Sequence, residues 1–301
     1  MNVILSQEAV PMAATWKDYI ALTKPRVISL LLFTTLATMF VAADAQHHVT
    51  IGLFLAVALG GYAAAGAANA FNMVYDRDID GRMHRTSGRP TVTRQIPTPQ
   101  ALLFAVTLTI GSFLLLWCAA NLLTATMAMA GLLFYVLVYT MLLKRRTWHN
   151  IVIGGAAGSF PPLVGYAAVA NHLTPFAWYL FALIFVWTPV HFWALALLLK
   201  EDYASAGIPM LPVVRGDRAT VIQITGYTIL TLLTSLAPFW MKQAGWLYLG
   251  GTLVLDGLLL VYCARLFRRT ERKEAAALFH YSMLYLALLF LLMALDKLLR
   301  L

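Results

Sequence analysis

Residues 52–80, GLFLAVALGGYAAAGAANAFNMVYDRDID, carry an unbroken apolar run into a polar end. The run, residues 52–74, is long enough to cross the hydrocarbon of a bilayer as one helix. At its end Asn72, Asp76 and Asp80 stand four residues apart. On a helix, positions i, i+4 and i+8 share a face, so a carboxamide and two carboxylates point the same way. Such a face suits Mg2+, a hard cation that takes oxygen ligands and shares its shell with phosphate oxygens. Asp78 lies about 200° around the helix from Asp76 and reads as solvated or paired. The following residues, GRMHRTSGRPTVTR, bring Arg82, Arg85, Arg89 and Arg94, which suit a polyanion. A helix end decorated with solvated charges is the plain alternative. It leaves the spacing and the adjoining basic loop as two coincidences.

Working outward, the apolar signal recurs along the whole chain. The 301 residues are 61% hydrophobic and 12% charged, and the mean hydropathy is +0.75. A soluble domain carries roughly twice that charged fraction. The chain therefore reads as an all-α, polytopic membrane protein, one membrane domain over residues 1–301 with no Gly-, Ser- or Pro-rich linker. Nine spans are placed near 27–43, 52–74, 101–119, 122–143, 151–170, 176–199, 221–241, 245–266 and 278–298. The third and fourth are nearly continuous through Ala119–Leu123. With the N-terminus cytoplasmic and the C-terminus on the opposite side, all but Lys242, Lys297 and Arg300 of the 22 basic residues fall inside. That is the distribution the positive-inside rule demands, and a wrong span count would scramble it.

The net charge of +9 is explained by cytoplasmic loops beside anionic headgroups, so no nucleic-acid partner is expected. The N-terminus, MNVILSQEAVPMAATWKDYI, shows neither a basic n-region nor an Arg-rich transit pattern. Cys118 and Cys263 fall inside apolar spans and read as buried small hydrophobes. Two inside loops are long, 75–100 and 200–220, and long loops in compact bundles are usually functional. Each opens with acidic residues, the second with Glu201 and Asp202, which suggests two acidic helix ends facing each other. Within spans, Asn69, His191, Asp256 and His280 are costly in hydrocarbon and mark cavities or partners. Pro189, just before His191, removes a helix hydrogen bond and can open a kink. For each of these polar residues a satisfied structural hydrogen bond is the competing reading.

Five segments carry a family resemblance: DYIALTKPRV (18–27), NAFNMVYDRDIDGRMHRTSGRP (69–90), YTMLLKRRTWHNIVIGGAAGSFPPLVGYAA (139–168), WTPVHFWALALLLKEDYASAGIPMLPVVRG (187–216) and LFHYSMLYLALLFL (278–291). Together they resemble the UbiA-type membrane prenyltransferases, and within them the branch that converts heme b to heme O. The N-x-x-x-D-x-x-x-D pattern marks the superfamily; the LKRRT and HFW…EDY segments are more specific. The resemblance implies nine helices arranged around a central cavity, in a bacterial inner membrane. It implies transfer of a farnesyl group from farnesyl diphosphate to a vinyl carbon of heme b, with Mg2+ as cofactor. Downstream heme processing or oxidase assembly would take the product.

By match to the motif, the resemblance assigns Asn72, Asp76 and Asp80 as catalytic Mg2+ ligands, and Asp202 as a partner of the metal or its water. The second acidic motif departs from the superfamily, which carries D-x-x-x-D where this chain has only Glu201–Asp202–Tyr203. Lys24, Arg82, Arg85, Arg89, Lys144 and Arg145 are candidate diphosphate clamps. Arg146 completes a run of three that cannot all serve. Allylic chemistry needs a dry groove and aromatic faces for passing positive charge; Phe160, Tyr166, Trp187, Phe192 and Trp193 are possible linings. His191 is the candidate heme contact. Two other readings stay open: a prenyltransferase for a quinone precursor or chlorophyllide, and a proton-coupled transporter.

Overall fold

The computed structural model describes residues 14–300, so most of the N-terminal stretch read above for targeting patterns lies outside them. Helix α1 (Trp16–Thr23) opens on a capping box between Thr15 and Asp18. Lys24 takes a left-handed backbone, and Pro25, whose fixed φ suits a first helical residue, starts α2 (Pro25–Ala42). Thr50 caps α3 (Ile51–Tyr75) through its hydroxyl, and one further turn, α4 (Arg77–Asp80), follows. Helix α5 (Thr98–Ala119) carries Pro99 in its first turn. The near-continuous stretch at residues 119–123 is cut by Asn121, whose carboxamide oxygen accepts the Thr124 N–H and starts α6 (Leu122–Leu133).

Two spans depart from regular α-helix. After α6 the chain runs through a ten-residue π-helix, Phe134–Leu143. The next span is broken into α7 (Asn150–Gly154), a 3-10 segment (Gly155–Ser159) and α8 (Phe160–Ala170). Thr174 and Pro175 then start α9 (Pro175–Leu198), which stays continuous through Pro189. Short helices α10 (Lys200–Ser205) and α11 (Leu211–Val214) occupy the second long loop. Helices α12 (Gly216–Trp240), α13 (Trp246–Arg268) and α14 (Arg272–Leu298) complete the chain. Among the described residues, nine spans are long and apolar enough to cross a membrane, and the protein is a multi-pass membrane protein.

The spans pack largely in chain order, and α14 returns to α2, so the bundle closes into a ring. Its two halves are held differently. The N-terminal half packs backbone against neighbour through small residues, as membrane helices do where hydrocarbon supplies no driving force. A Cβ on Gly60 would lie 2.6 Å from Leu116, and one on Gly165 would lie 2.0 Å from the Thr35 carbonyl oxygen. The C-terminal half is built on large side chains, with Trp187, Trp193, Tyr248, Tyr285 and Phe290 in one continuous core. One expectation fails here: Cys263 is buried, but Cys118 is exposed, because α5 turns that face away from the bundle.

Candidate active site

The sequence reading placed Asn72, Asp76 and Asp80 on one unbroken helix face. The structure interrupts that helix at Asp76, which leaves helical geometry with φ −87° and ψ 6°. Two backbone bonds nevertheless span the break, from Asp76 N–H to the Asn72 carbonyl (2.9 Å) and from Asp80 N–H to the Asp76 carbonyl (2.8 Å). The four-residue repeat therefore survives without a continuous helix. All three side chains are buried, Asp76 and Asp80 at 0% exposure.

Three cations meet the two buried carboxylates, and a lysine meets the asparagine beside them. Lys144 and Arg145 reach Asp76, Lys144 at Oδ2 and Arg145 at Oδ1 (3.4 Å). Arg89 pairs with Oδ2 of Asp80. Lys24 donates to Oδ1 of Asn72 at 2.8 Å. The Asn72 amide nitrogen donates to Asp76 (2.7 Å) and to the Thr140 hydroxyl (3.1 Å). An ammonium can only donate and a carboxylate can only accept, so these partners fix which way the carboxamide faces. Burial, then Arg89 and Lys144, push the Lys24 ammonium well below the usual lysine range. Asp78 is outside the cluster and forms a two-pronged pair with Arg145 at 2.7 and 2.7 Å. The guanidinium hydrogen bonds hold its carboxyl below the ordinary value.

The π-helix supplies one wall. In an α-helix Tyr135 and Lys144, nine positions apart, would face about 180° away from each other. Bonding from i to i+5 adds nearly a residue to each turn, so roughly nine residues make two π turns and bring both to one face. The Lys144 N–H accordingly bonds the Tyr139 carbonyl (2.9 Å). Tyr135 and Tyr139 stack with ring centroids 5.4 Å apart, Thr140 reaches Asn72 and Lys144 reaches Asp76. Gly154 makes room for this wall, since a Cβ there would stand 2.3 Å from the Tyr139 ring. Sequence reasoning missed Tyr135, Tyr139 and Thr140; their run, FYVLVYTMLL, is uniformly apolar whichever helix it forms.

The remaining candidates divide. The second loop does approach the first, through a hydrogen bond from Ser205 to the Arg82 carbonyl (3.2 Å). Burial pushes the Tyr203 phenol up, against the opposing pull of Arg85 and Arg89. Among the described residues, however, neither Glu201 nor Asp202 forms an ion pair, and Asp202 is half-buried. Arg82, Arg85, Arg94 and Arg146 are exposed. Of the proposed aromatic linings, Phe160 packs edge-on to Phe181, and Tyr166 accepts from Thr174 (3.0 Å). Phe192 is exposed and Trp193 is wholly buried. His191 is buried, stacked between Trp187 and Phe279 at 4.8 and 4.7 Å, with Nδ1 against the Ser282 hydroxyl at 2.8 Å. Asp256 is satisfied by Ser235 and Tyr285, each at 2.8 Å, and Asn69 by the Thr23 carbonyl (2.9 Å). His280 is exposed and bonds the Ala276 carbonyl.

The cluster fits a hard divalent cation. No group of three or more His, Cys, Asp or Glu that could hold a metal comes together among the described residues. Mg2+ does not require one, because it is usually bound through one or two carboxylates completed by water and substrate phosphate. Asp80 Oδ1 is buried with no hydrogen-bond partner, an oxygen that a cation would satisfy.

A ring of nine spans, with an asparagine and two aspartates buried among lysines and arginines where one of them ends, defines a class. Residues 31–292 match the model of the UbiA prenyltransferase family, and the chain belongs to that family. Solved structures share its fold, among them these two. One concerns digeranylgeranylglyceryl phosphate synthase, with TM-score 0.75 and 18% identity over 93% of this chain and 98% of that one. The other is a UbiA homolog from Archaeoglobus fulgidus bound to DMAPP and Mg2+, with TM-score 0.71 and 17% identity over 92% and 99%. Within the family the chain groups with proteins named protoheme IX farnesyltransferase. That of Deinococcus radiodurans is 53% identical over 94% of both chains, and that of Gloeobacter violaceus 47% over 97% of this chain and 96% of its own. That of Thermus thermophilus is 63% identical over 94% of this chain, which spans only 46% of the Thermus protein.

Proposed function

We propose that this chain transfers the farnesyl group of farnesyl diphosphate to a vinyl carbon of heme b, giving heme O in a bacterial inner membrane. One observation carries the reading: two wholly buried carboxylates are paired with three cations at a helix end, in a chain whose near-full-length relatives bear that activity's name. The charge distribution supports a cytoplasmic N-terminus and a C-terminus on the other side, with residues 1–301 as a single catalytic membrane domain.

In the reaction the allylic C–O bond breaks and its electron pair leaves with diphosphate. The terminal vinyl carbon forms the new C–C bond. The cation left beside the porphyrin takes a water oxygen and releases a proton. Asn72, Asp76 and Asp80 would hold Mg2+, which when bound neutralises charge developing on the leaving oxygens. Lys24, Arg89, Lys144 and Arg145 are placed to add to that neutralisation from fixed positions, where they need little reorganisation. Arg82 and Arg85 lie exposed on the loop that follows the carboxylates, and Asp202 lies on the second loop, which Ser205 ties to the Arg82 carbonyl. Tyr139 and Tyr135 lie one and two π turns from Lys144, and their π faces would ease the passage of positive charge. His191 would meet the porphyrin with the ring nitrogen that Ser282 does not occupy.

Mass analysis of hemes extracted from cells expressing the chain tests the reading. A farnesylated, hydroxylated heme is expected. Prenylation of 4-hydroxybenzoate with heme left unchanged would assign the protein to the quinone branch.

A further inference from the structure

The end of the bundle remote from the carboxylates holds a second charged site, unrelated to the transfer reaction. Helix α12 starts at Gly216, beside the site loops, and its 25 residues carry Trp240 about 37 Å away. There Phe239, Trp240, Lys242, Trp246 and Arg300 line a shallow, open cavity of about 380 Å³. Trp240 and Trp246 are 75% and 79% exposed, the placement of rings anchored at a membrane–water interface. Phe239 packs between them at 5.5 and 4.8 Å.

Two features make the cations here informative. First, only three of the 22 basic residues belong to this end of the molecule, and Lys242 and Arg300 are two of them. Second, Lys242 sits where lysine is disfavoured. Its N–H bonds the Phe239 carbonyl (3.0 Å) and the Gln243 N–H bonds the Pro238 carbonyl (2.9 Å), the paired bonds of a Schellman turn. The turn forces Lys242 to φ 58°, a conformation that glycine adopts without steric cost. A left-handed lysine at the lip of a cavity points from an outlier to a use for its side chain.

Arg300 is fixed in place. Its Nε pairs with Asp296 at 2.9 Å and it donates to the Gln243 carbonyl. Asp296 in turn accepts the Gly245 and Tyr248 N–H groups at 2.6 and 3.2 Å, so it caps α13 and ties the tail of α14 to the loop. Lys242 is exposed, and among the described residues no carboxylate lies within 4.0 Å of it. Aromatic rings at lipid depth beside one unpaired and one anchored cation match a headgroup phosphate whose glycerol and acyl chains lie along the indoles. We propose that this cavity binds an anionic phospholipid through its phosphate, with Lys242 as the principal contact.

Native mass spectrometry of the full chain, delipidated and then titrated with phosphatidylglycerol or phosphatidylcholine, tests this. Phosphatidylglycerol should bind the unaltered protein more tightly than phosphatidylcholine. Lys242→Gly should weaken phosphatidylglycerol about fivefold, the worth of one cation near an anionic surface. The same substitution relieves the left-handed backbone, so the midpoint of unfolding in zwitterionic detergent should hold or rise, and prenyl transfer should be unchanged. Equal binding of the two lipids, or an unaltered phosphatidylglycerol titration in Lys242→Gly, overturns the proposal. Displacement of phosphatidylglycerol by millimolar inorganic phosphate would make this a simple anion site, and capture of an acidic peptide in its place would make it a protein contact. Either result also rejects the lipid assignment.

Discussion

Replacing Lys144 by Met tests whether the cluster is held by charge or by shape. Met keeps most of the length and apolar stem of lysine, so the change removes the ammonium with little loss of packing. Asp76 is then a carboxylate of 0% exposure that has lost its nearest cation. Breaking a buried ion pair on one side costs about 3–5 kcal/mol, because the surviving charge is stranded. Two contacts remain to soften that: the Asn72 amide at 2.7 Å and Arg145 at 3.4 Å, already committed to Asp78. The expected loss is therefore nearer 2–3 kcal/mol. Adding Asp76→Asn removes the stranded charge, and the double variant should recover about 2 kcal/mol relative to the sum of the single changes. Reversible unfolding in mixed micelles reads this cycle directly. Both single variants and the double should be inactive, so stability and catalysis separate within one set of proteins. A Lys144→Met loss under about 0.5 kcal/mol, with strictly additive double-variant behaviour, would show that the pair contributes no more than a surface contact.

Asp80→Ala should abolish prenyl transfer while membrane insertion, judged by protease accessibility of the loops, stays intact; normal turnover would remove Asp80 from the metal set. Thr140→Val deletes the hydroxyl that accepts from Asn72 and should cost about 1 kcal/mol, with kcat falling more than KM and Thr140→Ser restoring it. His191→Ala should weaken heme capture, followed by absorbance titration, and leave farnesyl diphosphate affinity unchanged; an identical heme titration would confine His191 to its stacking role. For Asp78 the folded carboxyl lies below its ordinary value because of Arg145. The pair therefore contributes at neutral pH and is lost as pH falls through that lowered value. Both side chains are partly exposed, so Asp78→Asn should shift unfolding at pH 7 by less than about 1 kcal/mol, with the difference vanishing in acid.

Much of this molecule is legible in its sequence because bilayer thickness and charge bias constrain each span separately. Apolar runs located all nine spans, and Asn121 marks the turn that separates the third from the fourth. The gathering of Asn72, Asp76 and Asp80 was legible from their spacing, whereas Lys144, expected as a diphosphate clamp, pairs with Asp76. What stayed hidden depends on backbone register. FYVLVYTMLL has no composition that separates π from α, and the choice is made by contacts from elsewhere, Gly154 against Tyr139 and Asn72 against Thr140. GGAAGSFPP announces its breakers openly, yet only a structure shows that a 3-10 segment bridges them. The symmetry between the two acidic loops suggested two acidic helix ends facing each other; the loops do meet, through the hydrogen bond from Ser205 to the Arg82 carbonyl.

The return of α14 onto α2 also governs how the protein comes into being. Among the described spans, α2 is made before α14 and waits for it to gain its final neighbour. Until then its inward face must be shielded by lipid, by an insertase or by provisional contacts within the nascent chain. Chains interrupted anywhere before Arg272 should therefore fail as a whole and go to quality-control proteolysis, leaving no partly competent enzyme behind.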